Sequence, residues 1–428
     1  MDFRRYLPDS VIDLCDRRGD TDPSTTERGS DSRESDRTRS MDGTPRQARI
    51  ANSIIFSILG AVFATWAVRI PAISATLSLS EGDIGLALLG LAVGSIIGLV
   101  TSGVVVSHYG GRKVIRAGLI VYTLALLLIT AAGGFFLLGG MLLVFGFGKG
   151  LIDVAANAQG VRIERSYPGQ IMGSFHALFS GGGLLGAGLG AIATSLGLSV
   201  RTHFALMGIA FLLIGFTASV WLLPKDTSVD TGPAVSLPSR ELAGFCVLGF
   251  CALFIEGVGN DWSAVFLETS ASASATVAAL GFGAFSLMMM VGRFLADSAV
   301  EWIGPKRFIR LAAVVAALGI TLTLLARPIV SLVGFGVLGL GLAGIMPVSL
   351  SIAGNHDPDS PAEPAIAAVS TAGYAGFAVG PVAIGLIAEA SSLRAAFVPA
   401  FGLTALIIVL TGLLPTVART AGDGETPA

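Results

Sequence analysis

From about Ile50 onward the chain is built of long apolar runs separated by short polar breaks, and the runs share one length. Each is about 20 residues, enough for a helix rising 1.5 Å per residue to cross a ~30 Å hydrocarbon core. Twelve helical spans are predicted on this pattern: 49–70, 83–107, 112–133, 135–165, 170–197, 201–223, 240–267, 274–299, 305–327, 329–354, 363–390 and 393–415. The breaks are short, as in a bundle of neighbouring helices. Residues before about 46 are of another kind. In TERGSDSRESDRTRS, Arg, Asp, Ser and Thr alternate with no hydrophobic face to offset ordering entropy, so residues 1–46 are expected to form a disordered tail. Met41 offers an alternative start, and N-terminal sequencing decides whether residues 1–40 are present.

Composition turns these spans into a membrane protein. The 428 residues are 53% hydrophobic and 13% charged, with a mean hydropathy of +0.78. A soluble domain carries about a quarter charged residues, so the exterior must face lipid, and the fold class is an all-α integral membrane protein. A net charge of −2 leaves no basic field for nucleic acid. Cys15, Cys246 and Cys251 fit neither a disulfide framework nor a metal site, and His108, His176, His203 and His356 cannot form a His-Glu-x-x-His zinc motif. Neither metal nor cofactor is expected. Gly334-x-Gly336-x-x-Gly339 and Gly339-x-Gly341-x-x-Gly344 match a dinucleotide fingerprint but lie inside an apolar span, where close helix packing accounts for them. GFGKG around Lys149 lacks the spacing and hydroxyl of a phosphate loop. An enzyme is not expected. A cleaved leader is not expected ahead of the first span.

Basic residues set the orientation. With the N-terminus inside, Arg46, Arg49, Arg112, Lys113, Arg116, Arg162, Arg165, Lys225, Arg240, Arg293, Lys306, Arg307, Arg310 and Arg419 fall on the cytoplasmic side, against Arg69, Arg201, Arg327 and Arg394 outside. Both termini are therefore expected in the cytoplasm of a multi-pass inner-membrane protein. The longest break, KDTSVDTGPAVSLPSR, divides the chain into bundles at 47–223 and 240–416, a linker at 224–239 and a tail at 417–428. The two halves align at one offset: 304 − 110, 376 − 182 and 380 − 186 each give 194, all between glycines. Six crossings per half make these parallel repeats about an axis along the membrane normal.

The turns after the second and eighth spans, GVVVSHYGGRK and DSAVEWIGPKR, resemble the Gly-x-x-x-Asp-Arg-x-Gly-Arg-Arg loop signature of the major facilitator superfamily. The first copy departs from it at Ser107, His108 and Gly111; the second keeps an acid at Glu301 and the glycine at Gly304 but has Trp302 in an Arg position. WAVRIPAI, GLIDVAANAQG, SFHALFSGGGLLGA, GNDWSAVFL and VGRFLAD are similar to the MosC-type branch, over essentially residues 49–415. The resemblance implies twelve transmembrane helices in two pseudo-symmetric six-helix bundles, with spans one, four, seven and ten lining a central cavity. It also implies a cytoplasmic latch, for which Arg112, Lys113, Arg293, Asp297, Glu301 and Gly304 are the candidates. Ordinary positive-inside topology is the alternative for these residues.

A charge at bilayer depth costs at least ~2.5 kcal/mol and persists where it faces the bundle interior or water. Lys149, Asp153 and Asn157 recur every fourth residue on the fourth span and form one polar stripe, read either as a substrate or proton path or as an internal Lys149–Asp153 ion pair. Glu256, Asn260 and Trp262 on the seventh span, with Trp66 and Arg69 on the first, supply a carboxylate, an amide, a guanidinium and two indoles for a polyhydroxylated ligand. Interfacial anchoring is the alternative for Trp66 and Arg69. Asp261 is placed at the outer face. His176 suits proton transfer or helix packing, and Tyr374 is offered as pocket lining. The functional expectation is a monomeric, proton-coupled secondary transporter of a sugar, polyol or amino-polyol working by alternating access. Efflux of amphipathic drugs, or a receptor that kept the fold, are the alternatives.

Overall fold

A computed structural model of the chain describes residues 44–168, 171–225, 242–354 and 362–413. Most of the predicted linker and both predicted tails, with Arg240 and Arg419, lie outside them. Among the described residues the regular structure is helical, with no strand: α1 (Pro45–Ala67), α2 (Ile70–Leu77), α3 (Glu81–Tyr109), α4 (Gly111–Ile129), α5 (Phe135–Glu164), α6 (Met172–Ser195), α7 (Val200–Ala218), α8 (Ala243–Val265), α9 (Ala275–Ile303), α10 (Pro305–Leu324), α11 (Pro328–Leu342), α12 (Ile345–Gly354), α13 (Ala362–Ala390) and α14 (Leu393–Leu413). These form twelve rods, because α1 runs on into α2 and α11 into α12. Eleven rods are long and apolar enough to cross a membrane. The twelfth, α4, has 19 residues and spends its first turns on Arg112, Lys113 and Arg116.

Local chemistry explains the boundaries. Thr44 caps α1 reciprocally with Gln47, and Pro45 takes the first helical turn, where a missing N–H costs nothing. Ser80 and Asp83 form the same box on α3. The first rod reaches Leu77, beyond the predicted 70, because the helix breaks before Pro71 and restarts as α2. One π turn, Phe266–Ser270, likewise carries the α8 rod past its predicted end.

The repeat is visible in the backbone. Gly110 and Gly304 end α3 and α9 at φ +82° and +80°, a left-handed conformation that glycine adopts without strain. Ser78 and Ser272 both have positive φ, and Ser80 and Ser274 both cap the following helix; 272 − 78 and 274 − 80 again give 194. Packing repeats as well. A Cβ on Gly182 or Gly186 of α6 would strike the Ser57 or Ala61 carbonyl of α1, and one on Gly376 or Gly380 of α13 would strike the Phe250 or Phe254 carbonyl of α8. Such close crossings are how helices associate where no hydrophobic effect drives them. Outward positions such as Leu213, Ile209, Val314, Leu318 and Val409 are exposed and apolar, as a lipid-facing surface requires.

The halves meet along α6 with α9 and α3 with α13. Their contacts crowd toward the end that carries Ser80 and Ser274: the Gly82 N–H donates to Glu389 Oε2 at 3.2 Å, Gly85 lies against Gly385, and Thr194 Oγ1 donates to Thr276 Oγ1 at 3.4 Å. Farther toward the Gly110 and Gly304 end, Arg293 bonds across the halves to the His176 carbonyl and Ser180 Oγ.

Candidate functional site

The polar stripe on α5 faces the other half. Lys149, Asp153 and Asn157 are half-buried on one side of the helix. Asn157 Nδ2 donates to Asp153 Oδ1 at 3.0 Å and to the Asp153 carbonyl at 2.9 Å, so its own helix orients this carboxylate. No Lys149–Asp153 ion pair forms among the described residues. Lys149 instead places Nζ 6.0 Å from the centre of the Phe377 ring on α13.

Opposite the stripe, Arg293 of α9 is the knot of the site. Its Nη2 lies 3.4 Å from Glu256 Oε1 on α8, and its Nη1 donates to the His176 carbonyl at 3.1 Å and to Ser180 Oγ at 2.8 Å, both on α6. The planar guanidinium fork makes this possible, reaching acceptors on two helices of opposite halves at once. Arg293, read from sequence as part of the cytoplasmic latch, thus sits inside the cleft and belongs with Glu256. The charges acting on His176 are those of Arg293 and Asp153, and those acting on Tyr374 are Asp153 and Glu256. Five helices therefore bring one cluster together. His176 and Tyr374 keep exposed surface, 43% for Tyr374, inside the packed bundle, which marks them as lining a cleft. Asn260 is half-buried one turn beyond Glu256.

Asp261 corrects the sequence reading. It is buried, 2% exposed, with Oδ1 lacking a hydrogen-bond partner, and the charge acting on it is Lys149 of the other half. The rule applied to Glu256, that a charge within an apolar span faces the interior, would have found it.

The two-indole site does not form. Trp262 is fully buried and donates Nε1–H to the Pro381 carbonyl at 3.1 Å, pinning α8 to α13. Trp66 is 2% exposed and packs 6.4 Å from the Phe145 ring. Arg69, 5% exposed, donates from Nε to His203 Nδ1 at 3.2 Å and from Nη2 to the Leu198 carbonyl at 3.0 Å. All three side chains are consumed by packing and offer no face to the cleft. Residues near the Gly110 turn bond to the chain leaving α7 of the same half. Arg112 donates to the Leu222 carbonyl, Gln159 Nε2 to that of Leu223 at 2.9 Å and Arg162 to that of Pro224 at 2.8 Å. They hold the chain leaving α7 within its own half. Lys113, Asp297 and Glu301 are exposed, and Gly304 serves the turn.

The family model of the Major Facilitator Superfamily matches the chain twice, at residues 51–245 and 244–428. The chain belongs to this superfamily. An uncharacterized transporter of the superfamily from Yersinia pestis is 32% identical over 362 residues, covering 84% of this chain and 93% of that one. The membrane protein MosC of Rhizobium meliloti is 30% identical over 374 residues, covering 86% and 88%. Among solved structures, the nucleoside transporter NupG superimposes with a TM-score of 0.70 at 11% identity, over 86% of this chain and 100% of that one. A bacterial homologue of the lysosomal transporter Spinster, inward-facing and unoccupied, does so at 0.66 and 13%, over 86% and 96%. As a member of the superfamily the chain is a multi-pass membrane transporter, and transporters of this superfamily bind small-molecule substrates within the membrane.

Proposed function

We propose that the chain is a proton-coupled secondary transporter that moves a small polar solute by alternating access, the two halves rocking around the Arg293–Glu256 cluster. The observation that carries this reading is the three-way bond of Arg293. It joins the halves through the His176 carbonyl and Ser180 Oγ, while Glu256 of its own half orients it with a carboxylate that a proton or a substrate group can claim. The positive-inside pattern makes the Gly110 and Gly304 end cytoplasmic and the present state inward-open, with the opposite end shut by Gly85, Gly385, Thr194 and Thr276.

A polar solute is favoured over an amphipathic drug by the lining. Lys149, Asp153, Asn157, His176, Glu256, Asn260, Arg293 and Tyr374 present both charges, amides and a phenol, a set that matches a sugar, polyol or amino-polyol. Of the methionines that suggested drug efflux, Met289 is buried, Met288 packs at Gly336 and Met290 at Gly181. Proton coupling is assigned to Glu256 and Asp153 in the cleft and to the buried Asp261.

Proteoliposomes test this. An imposed pH gradient is expected to drive accumulation of the substrate, and Asp261→Asn to abolish the accumulation while leaving substrate exchange largely intact. Flux indifferent to the gradient overturns the coupling, and equal loss of exchange makes Asp261 structural.

A further inference from the structure

A second cavity, separate from the cleft, opens where α1 begins. It holds about 700 Å³ and is lined by Arg46, Arg49, Ile50, Ile54, Tyr167 and Leu178, with two serines of α1 and no carboxylate. Its position on α6 decides which way it faces. His176, Ser180 and Gly183 turn toward α9 of the other half, and at 100° per residue Leu178 points about half a turn away from them. The cavity therefore lies on the outer surface of the first half, the side that meets lipid, and Ile50 in its wall is 53% exposed.

Chemistry is graded along its length. Arg46 and Arg49 occupy the first two turns of α1, and neither faces a carboxylate among the described residues. Arg49 lies 4.9 Å from the centre of the Tyr167 ring, which fixes its guanidinium at the rim. Below them the groove follows α1 for about 16 Å past Ile50 and Ile54, with Leu178 opposite. Two unpaired guanidiniums above an apolar trough match an anionic headgroup with its acyl chain attached, whereas a soluble anion has no use for the trough.

We propose that this groove is a binding site for an anionic phospholipid, its phosphate on Arg46 and Arg49 and one acyl chain against Ile50, Ile54 and Leu178. The bound lipid braces α1 against α6, the helix that also carries the contact to the other half. The site stands independently of substrate and coupling.

The test is the melting temperature of the purified full chain in detergent with added dioleoyl phosphatidylglycerol or dioleoyl phosphatidylcholine. Phosphatidylglycerol is expected to raise it by about 3 °C or more over phosphatidylcholine. The double variant Arg46→Gln/Arg49→Gln loses that difference, and Arg46→Lys/Arg49→Lys keeps most of it. Equal shifts from the two lipids, or a gain that survives the glutamine pair, overturn the proposal. So does an equal gain from glycerol 3-phosphate alone, which would make the site one for soluble anions. Loss of the gain in a variant starting at Met41 would place the lipid on the N-terminal segment instead and so overturn the proposal as well.

Discussion

At the scale of single residues, one guanidinium separates this cleft from a merely polar cavity. Arg293 satisfies acceptors on α6 and α8 together, which a lysine ammonium, a compact point charge on a flexible stem, cannot do in the same geometry. Arg293→Lys is therefore expected to lower substrate flux about tenfold or more while the protein still folds and melts near the wild-type temperature. Full flux in that variant would show that charge alone suffices there. The same residue shows what a sequence can and cannot reveal. That Lys149, Asp153 and Glu256 face inward follows from the cost of charge in lipid, whereas Arg293 reads from the sequence as part of the cytoplasmic latch. Which of them pair does not, because pairing depends on how helices from different halves rotate against one another. Lys149 and Asp153 have a suitable i, i+4 spacing, yet Asp153 is held by Asn157 and Lys149 turns to Phe377. The indoles failed for a related reason: Trp66 and Trp262 have polar N–H groups, but their bulk fills the packing between helices.

At the scale of elements, the helices were legible because apolar length is a direct physical requirement of the bilayer. Their ends were less so. The first rod gained α2 and the α8 rod gained a π turn, since a proline or a wide turn can interrupt the hydrogen-bond ladder without ending the rod. Helix crossings carry the sharpest prediction here. A Cβ on Gly182 would sit 1.9 Å from the Ser57 carbonyl oxygen, whereas Gly188 on the same helix has nothing within 4 Å. Gly182→Val is expected to force α6 away from α1 and lower the melting temperature by several degrees, an overpacking cost of about 1–3 kcal/mol or more. Gly188→Val is expected to leave it unchanged. Similar melting of the two variants would contradict the close crossing.

At the scale of the whole described bundle, duplication organises the molecule. The offset of 194 read from three glycine pairs reappears as paired left-handed residues, paired caps and paired helix crossings. Two equivalent bundles joined by a polar, partly charged seam have a natural way to move: each stays rigid and the seam changes which end is closed. The proposed cycle requires the end marked by Ser80 and Ser274 to open, and the Thr194–Thr276 contact spans that end. In a background where Cys15, Cys246 and Cys251 are replaced, the pair Thr194→Cys and Thr276→Cys places two thiols within reach of a disulfide. Oxidation of this variant in proteoliposomes is expected to stop substrate flux, and reduction to restore it. Undiminished flux across the oxidised, fully cross-linked protein would contradict a transport cycle in which the two halves part at that end.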